Sequence, residues 1–367
     1  MHLFVDISSH GFGHLAITAP ALNALAELAP DLRLTVRSGV PRQKLAQRIR
    51  APFALIAASS DFGYVMIDAM RIDLAATATA YRQAHADWPA RVAREAAFLA
   101  ALAPDLVLTN VSYLPLAGAA RAGIPALSLC SLNWADLFAH FFGSEPWAAP
   151  IHADMLAAYR GARTFLRATP GMPMDELGNV EEIGPVAALG RHHDLGLNGD
   201  RAVLVALGGI AHRLPVENWP RLPGVRWLVA ADWQCAHPDA IALESFGLNF
   251  TDLLCSVDAV VTKPGYGTFT EAACNGTPVI YQRRDDWPEQ DCLIGWLRRN
   301  ANCLEISADR LLDGALHESL NTLWRQRPPP RPAATGAAEA AAWICRRLPS
   351  ENSPERPATL KNASRSA

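Results

Sequence analysis

Short apolar runs alternate along the chain with longer segments whose apolar residues recur at helical spacing. In chain order, the apolar runs lie at residues 3–7, 32–37, 105–109, 125–129, 164–168, 202–207, 225–230, 258–262, 278–281 and 303–306. Runs of this kind are typical of strands that are buried on both faces of a parallel sheet. The alternation therefore predicts an α/β fold, in which the strand at 164–168 is the last of the first half.

The clearest unit spans residues 258–281, where a strand is followed by a glycine loop, a helix and a second strand. The loop contains Lys263, Gly265, Gly267 and Thr268. Unpaired backbone N–H groups at a helix start, and the positive end of the helix dipole, favour an anion above the strand ends. We therefore predict a diphosphate site here. Alternatively, the glycines only form tight turns and Lys263 is a solvated surface charge.

Acidic and amide side chains follow the glycine loop in an order that suits a sugar nucleotide. Glu271 lies one turn into the helix, where its carboxylate can accept hydrogen bonds from two ribose hydroxyls. Glu289 and Gln290, in the loop after the second strand, can bind the hydroxyls of a hexose. Phosphate, ribose and hexose thus have candidate partners in order along the chain. Glu271 can also serve only to complement the helix dipole.

A further glycine turn lies near the start of the second half. The strand at 202–207 ends in Gly208 and Gly209. Glycines at a strand end let the backbone approach a ligand closely. We predict that these two glycines belong to the same donor site.

The sequence GYGTFTE, from Gly265 to Glu271, is followed by AACNGTP and then by Glu289 and Gln290. This segment resembles the donor-binding segment of two-domain nucleotide-sugar glycosyltransferases of the GT-B type, similar to the family that adds N-acetylglucosamine to the lipid-linked peptidoglycan precursor. Its KPGYGT form also resembles the glycosyltransferase-like N-terminal region of plant arabinokinases. The resemblance implies two Rossmann-like domains that face a cleft. It also implies a nucleotide-sugar donor, first of all a UDP-sugar, on the C-terminal side and the acceptor on the N-terminal side.

Length agrees with two domains, because 367 residues exceed the ~250–300 at which single cores usually split. We predict an acceptor-side domain at 1–185, a donor-binding domain at 186–330 and, at 331–348, a helix that returns to the first domain. Residues 349–367 are rich in Ser, Pro, Arg, Asn and Glu, which predicts a disordered tail.

The first strand is followed by another glycine loop, SSHGFGH, in which Gly11 and Gly13 lie between two histidines. The motif GFGHLA satisfies the relaxed dinucleotide fingerprint GxGxxA, which a Rossmann dehydrogenase also carries. That class needs an acid at the end of the second strand, whereas Arg37 stands there and would suit only a 2′-phosphate. A dehydrogenase therefore remains an alternative, with only weak support from this motif.

In the family that the chain resembles, this loop lies on the acceptor side and ends in a histidine at the helix start. Gly11 and Gly13 then form the acceptor-side loop, and His14 matches the histidine. A helix N-terminus lowers the pKa of a histidine and keeps it neutral, so that His14 can take the proton of an acceptor hydroxyl. His10 is the second candidate for this base. Either ring can instead only cap the helix or line the cleft.

We predict neither a metal nor a cofactor. The aspartates after the central unit are adjacent and form no DxD pair, so the helix start and Lys263, with the backbone near Gly209, would stabilise the leaving diphosphate. Retaining relatives of this fold carry a second Glu at the position that Val279 occupies. The resemblance therefore implies an inverting, metal-independent transfer.

Charge and cysteine content exclude several classes of protein. The net charge is −3 and Lys and Arg are dispersed, which argues against a nucleic-acid partner. The seven Cys lack CxxC spacing, so neither a zinc site nor a disulfide framework is indicated. No apolar run reaches the ~18 residues of a membrane span, and the N-terminus lacks the basic region of a signal peptide. We predict a cytoplasmic protein, with peripheral membrane contact left open.

Two stretches rich in aromatic residues, 61–81 and 134–147, can either face an acceptor or pack in the core. The function predicted from all of these features is that of a hexosyltransferase. It would move a sugar from a UDP-sugar to a small-molecule or lipid-linked acceptor. A nucleotide-sugar epimerase or hydrolase, and a non-catalytic nucleotide-sugar-binding protein, are the alternatives.

Overall fold

Two parallel sheets organise the chain, which a computed structural model describes at residues 1–210 and 212–347. The first sheet has seven strands and the second has six. Neighbouring strands pair in parallel throughout both sheets. The α/β class predicted from the alternation of apolar runs and helices is therefore confirmed.

The first sheet has the spatial order β3-β2-β1-β4-β5-β6-β7. Its strands are β1 His2–Ile7, β2 Arg33–Arg37, β3 Ala54–Ile56, β4 Leu106–Asn110, β5 Ala126–Cys130, β6 Thr164–Ala168 and β7 Val180–Ile183. The helices of this half are α1 Phe12–Leu28, α2 Arg42–Arg48, α3 Leu74–His85, α4 Trp88–Leu102, α5 Leu114–Ala122, α6 Trp134–Phe142 and α7 Ala148–Gly161. The strand order reverses between β1 and β4, which predicts a crevice above their carboxyl ends, where α/β proteins bind ligands.

The second sheet has the order β10-β9-β8-β11-β12-β13. Its strands are β8 Arg201–Val205, β9 Val225–Val229, β10 Ala240–Ala242, β11 Ala259–Thr262, β12 Val279–Tyr281 and β13 Cys303–Glu305. The helices that follow are α8 Phe250–Ser256, α9 Tyr266–Asn275, α10 Gln290–Asn300, α11 Ala308–Leu312, α12 His317–Arg325 and α13 Gly336–Cys345. The order reverses here between β8 and β11, which predicts a second crevice above these two strands.

The first half ends one strand later than the apolar runs predict. The prediction that 164–168 is its last strand is wrong, because β7 pairs in parallel with β6. The sequence of β7 is VEEI, and both of its glutamates are exposed. An edge strand buries less of its surface than a central one, so it needs no continuous apolar run. The proposed domain boundary at residues 185 and 186 falls between β7 and β8.

Helix α13 returns to the first sheet, where it packs against α1 and lies beside β7. The backbone N–H of Gly184 donates to the carboxylate of Glu339 at 2.8 Å. The end of the described chain is thus attached to the first half. The tail predicted at 349–367 lies outside the described residues. In the described ranges, none of the helices is long and apolar enough to cross a membrane.

Candidate functional site

The loop after β1 and the first turn of α1 hold the acceptor-side glycines and the two histidines. Gly11 is the N-cap of α1 and has a φ of 120°, which glycine adopts without strain. His14 lies in the first turn of α1, above the carboxyl ends of β1 and β4, and is buried. A side chain at Gly13 would meet no atom of the described residues within 4 Å. The loop therefore leaves open space at Gly13, the residue before His14.

Asn110, the last residue of β4, holds the ring of His14. Nδ1 of His14 lies 2.7 Å from Oδ1 of Asn110, and Nδ2 of Asn110 donates to the carbonyl oxygen of Leu129 at 2.8 Å. Because that carbonyl can only accept, the amide has one orientation, and its oxygen accepts from Nδ1–H of His14. The lone pair of the ring is then on Nε2. Burial lowers the pKa of His14 to about 4, so the ring is neutral at pH 7.

Replacing Asn110 tests whether it positions this base. Asn110→Leu is expected to lower kcat on the order of 10-fold with little change in the KM for the donor, because the ring loses one hydrogen bond and its fixed tautomer. In Asn110→Asp, a carboxylate keeps the bond and raises the pKa of His14, so the acid limb of kcat/KM moves from near pH 4 toward neutral pH. An unchanged rate and pH profile in both variants would contradict this role.

His10 lies between aromatic rings from both halves of the chain. Its ring is parallel to that of Trp287 with centroids 5.8 Å apart, and it meets Trp134 edge-on at 5.3 Å. Nε2 of His10 is buried and has no hydrogen-bond partner among the described residues. Burial, with the neighbouring His14, lowers the pKa of His10 well below its ordinary value. A buried nitrogen without a partner, on a ring 6.3 Å from that of His14, suits a ligand group.

Helix α9 begins above the end of β11 at Tyr266, so that Gly267 and Thr268, predicted as part of the loop, lie in its first turn. Gly265 is its N-cap, and in the described part of the chain no side chain caps the first turn, so its backbone N–H groups can meet a ligand. Gly267 faces the first half, since a Cβ there would lie 2.6 Å from the Cβ of Ala16 in α1. Glycine therefore allows the first turns of α9 and α1 to touch. Thr268 follows in the same turn and is half-buried.

Lys263 lies between the two glycine turns of the second half. Its Nζ is 3.8 Å from the position that a Cβ would take at Gly208, and 3.7 Å from that position at Gly265. Gly208 has a φ of 92°, and the neighbouring Gly209 lies against the ring of Phe12 from α1. Burial lowers the pKa of Lys263 to about 7. The structure thus brings these predicted donor residues together beside the start of α1.

The loop after β12 contacts the first half through Glu289, one of the two residues that are predicted to bind a hexose. Oε1 of Glu289 accepts from the hydroxyl of Ser131 at 2.6 Å, and Oε2 accepts from Nε1–H of Trp287 at 3.2 Å. Gln290 accepts from the backbone N–H of Arg284 at 3.0 Å and donates to its carbonyl at 3.1 Å. Both carboxylate oxygens and both ends of the amide are therefore bonded. Their contacts with a sugar stay predictions and require an exchange of these bonds.

Glu271, the predicted ribose partner, is paired with Arg48 of α2. Its Oε1 contacts Nη1 of Arg48, and its Oε2 lies 3.2 Å from Nη2. Nη1 of Arg48 also donates to the hydroxyl of Thr251 at 3.1 Å. Glu271 is only 1% exposed, so this ion pair fastens α9 to α2 across the two halves. A ribose contact of Glu271 stays a prediction and requires the ion pair to open.

Arg284 belongs to the same cleft, although no pattern in the sequence singles it out. Its guanidinium carbon lies 4.0 Å from the ring centroid of Trp287. Nε and Nη2 of Arg284 are buried and lack hydrogen-bond partners within the described ranges. Burial lowers the pKa of this arginine to about 10. The donor side of the cleft therefore contains a second cation next to Lys263.

The solved structures similar to this chain include glycosyltransferases and UDP-N-acetylglucosamine 2-epimerases. The kitacinnamycin glycotransferase is 18% identical to this chain with a TM-score of 0.61, over 95% of this chain and 99% of that one. A UDP-N-acetylglucosamine 2-epimerase is 14% identical with a TM-score of 0.53, over 94% of each chain. The chain has the GT-B fold. The resemblance predicted from the segment 265–290 is thereby confirmed at the level of the fold.

Sequence comparison adds one distant relative of this GT-B chain. The L-arabinokinase of Arabidopsis thaliana is 24% identical over an alignment of 304 residues that covers 79% of this chain and 29% of that protein. The chain thus spans less than a third of the length of that relative. No family model matches the chain.

Arg37, which a dehydrogenase could use to bind a 2′-phosphate, forms buried ion pairs inside the first half of the GT-B fold. Its Nε lies 2.5 Å from Oδ2 of Asp6, and its Nη2 lies 2.6 Å from Oε1 of Glu95. All three side chains are buried. The dinucleotide reading of the GFGHLA motif therefore has neither the acid nor the free arginine that it needs.

The stretch 61–81 contributes polar atoms to the N-terminal side of the GT-B cleft. Oδ2 of Asp61 accepts from Nε1–H of Trp134 at 2.8 Å, whereas Oδ1 is buried without a partner among residues 1–210 and 212–347. Burial raises the pKa of Asp61 to about 6. The hydroxyl of Tyr64 is also buried and unpaired in the same ranges, on a ring 6.4 Å from that of His10. Unpaired polar atoms around Trp134 are suited to the hydroxyls of an acceptor.

The second aromatic stretch, 134–147, contributes mainly to the core of the GT-B fold. Trp134 and Phe138 are completely buried, and Phe142 is 5% exposed. Of these rings, only the edge of Trp134 meets His10 and His14. These rings of the stretch therefore pack in the core beneath the cleft.

Proposed function

We propose that the protein is a glycosyltransferase that moves a sugar from a nucleoside-diphosphate sugar, with a UDP-sugar as the first candidate, to an acceptor hydroxyl. The main support for this proposal is the contact between the first turns of α1 and α9. One turn holds His14 neutral with its lone pair on Nε2, and the other has unpaired N–H groups beside Lys263. A base and an anion site on opposite sides of one cleft are what this transfer needs.

The proposed transfer is a direct displacement. The acceptor oxygen attacks the anomeric carbon from the side opposite the diphosphate, and the bond between that carbon and the diphosphate oxygen breaks. His14 takes the proton of the acceptor hydroxyl on Nε2, and the leaving diphosphate keeps the electron pair of the broken bond. The start of α9 and the ammonium of Lys263 stabilise the added charge. Attack from the opposite side inverts the anomeric centre, and no step in this scheme requires a metal.

Two other functions share these features. A nucleotide-sugar epimerase or hydrolase is favoured by the UDP-N-acetylglucosamine 2-epimerase that has the same fold. A non-catalytic nucleotide-sugar-binding protein is favoured by the contacts of Trp287 with His10 and of Glu289 with Ser131, because these side chains occupy the space between the halves.

One assay separates these functions. The purified protein is incubated with UDP-sugars and dTDP-sugars, with and without a panel of small-molecule and lipid-linked hydroxyl acceptors, and the release of nucleoside diphosphate and the sugar products are measured. Release that depends on an acceptor supports the transferase. Free sugar without an acceptor indicates a hydrolase, and an altered sugar still attached to its nucleotide indicates an epimerase. Binding without any product indicates a non-catalytic nucleotide-sugar-binding protein. These last three results contradict the proposed transfer.

The same proposal assigns residues 1–185 to the acceptor and residues 186–330 to the donor. The acceptor is a small molecule or a lipid-linked molecule. All seven cysteines are free, as is usual in reducing compartments, and we propose that the protein works in the cytoplasm.

A further inference from the structure

Arg284 is a buried cation whose hydrogen-bonding capacity is largely unused. Arg284 is only 6% exposed, and its Nε and Nη2 have no hydrogen-bond partner among the described residues. Buried guanidinium donors are normally bonded, because burial without a partner costs stability. Two unbonded donors on one buried cation therefore indicate a place where an anion binds.

The neighbouring carboxylate does not satisfy these donors. Glu289 accepts hydrogen bonds from Ser131 and Trp287, although it also attracts Arg284 and Lys263 electrostatically. Asp68 also attracts Arg284 electrostatically, but its carboxylate accepts a hydrogen bond from Nε–H of Arg71 at 2.9 Å. The unbonded donors of Arg284 therefore remain for a ligand, in a cleft where both histidines are neutral at pH 7.

Lys263 lies next to the start of α9. Its Nζ lies 3.7 Å from the Cβ position of Gly265, the N-cap of that helix, and 3.8 Å from that of Gly208. Burial lowers the pKa of both side chains, and repulsion by Arg284 lowers that of Lys263 further. A guanidinium, an ammonium and a helix start in one cleft suit an anion with more than one negative charge.

We propose that Arg284 and Lys263 form the subsite for the terminal phosphate of the nucleoside diphosphate, and that this pair distinguishes a diphosphate from a monophosphate. The choice of a nucleotide rests on the proposed function, whereas the subsite itself needs only a pyrophosphate group. In the proposed transfer, this phosphate carries the oxygen whose bond to the sugar breaks. The pair therefore binds the leaving group more tightly as negative charge develops on it.

Arg283 provides a matched control. It precedes Arg284 in the same loop, but it pairs with Asp291 at 2.8 Å and with Glu305 at 3.4 Å on the surface. Its side chain is 38% exposed. Replacing Arg283 removes one positive charge from the loop without removing Arg284 or Lys263.

The experiment is calorimetric titration of wild type, Arg284→Gln and Arg283→Gln with UDP, UMP, dTDP, dTMP and inorganic pyrophosphate. Wild type and Arg283→Gln are expected to bind a diphosphate at least about 10-fold more tightly than the matching monophosphate. Arg284→Gln is expected to lose about 10- to 100-fold in affinity for the diphosphate and for pyrophosphate, with unchanged affinity for the monophosphate. If Arg284→Gln keeps the wild-type ratio of the two affinities, the inference is overturned.

The pyrophosphate titration separates this inference from the proposed function. Binding of pyrophosphate through Arg284 without binding of any nucleotide supports the subsite and contradicts the nucleotide-sugar proposal. Diphosphate binding that is equal with and without Arg284 overturns the subsite and leaves the transferase intact. Protein that binds neither pyrophosphate nor a nucleotide contradicts both.

Thermal unfolding separates a ligand-binding role of Arg284 from a structural one. Free Arg284→Gln is expected to unfold at the same temperature as wild type or higher, because the substitution removes a buried charge with unbonded donors. A clearly lower unfolding temperature would count against the subsite. If this variant does not fold, Arg284→Lys, which keeps the charge without the fork of donors, must show an intermediate loss of diphosphate affinity.

Discussion

Replacing His14 by Ala is expected to lower kcat of the proposed transfer by about 10²- to 10⁴-fold, the usual contribution of a positioned general base. The ring is buried, its Nδ1 is bonded to Asn110, and its Nε2 carries the lone pair. Alanine leaves the acceptor proton without a recipient. Donor affinity is expected to stay nearly unchanged, because the proposed diphosphate contacts lie on the other half of the chain. Steady-state rates and nucleotide titration measure the two quantities separately.

The pH profile and a second histidine variant provide the controls for His14. Because its pKa is about 4, His14 is expected to cause a decline of kcat/KM only as the pH approaches 4, whereas Lys263, with a pKa of about 7, is expected to lower kcat/KM as the pH rises above 7. A histidine with an ordinary pKa of ~6.5 would cause a decline already below neutral pH. His10→Ala is expected to keep most of kcat. Full activity of His14→Ala, with loss in His10→Ala, would assign the base to His10.

Arg37→Met is expected to lower the free energy of unfolding by about 3–5 kcal/mol, the usual cost of removing one partner from buried ion pairs. Arg37 contacts both Asp6 and Glu95, which are 1% and 8% exposed. The substitution leaves two buried carboxylates without a counter-charge. Denaturant unfolding of the variant beside wild type measures the loss.

An exposed ion pair provides the matched control for Arg37. Arg50 pairs with Glu27 at 2.9 Å, and these side chains are 73% and 71% exposed. Arg50→Met is therefore expected to change the free energy of unfolding by less than about 1 kcal/mol. Similar losses from the two arginine variants would contradict the account of the buried cluster.

The sequence predicts the central unit of the second sheet closely, because glycines mark both ends of its helix. Gly265 is the N-cap of α9, and Gly276 is its C-cap with a φ of 80°. The sequence does not predict β3, β7 or β10, which are short strands at the edges of their sheets. Only one side of such a strand is paired, and β3 and β10 have no fully buried residue, so none of the three carries a long apolar run.

The candidate site could be predicted only where a local pattern marks it. His14 and Lys263 follow glycine turns at strand ends, so their place in the two crevices is visible in the sequence. The bond of His14 with Asn110 joins residues 96 positions apart, and the ion pair between Glu271 and Arg48 joins residues 223 positions apart.

These long-range contacts depend on how the sheets and the halves pack. The burial of Arg284 also depends on this packing, because the sequence alone does not distinguish it from the neighbouring Arg283. Arg283 is 38% exposed in surface ion pairs, whereas Arg284 is buried in the cleft. Only the path of the loop decides which of the two arginines is buried.

Calorimetric titration of the wild-type protein with UDP, dTDP, GDP and NADP tests the central claim most directly. The account predicts that one nucleoside diphosphate binds selectively with a Kd in the micromolar range, on the order of −8 kcal/mol, and that NADP does not bind. Binding of NADP alone would contradict the nucleotide-sugar site and would place the ligand at the loop between Gly11 and His14.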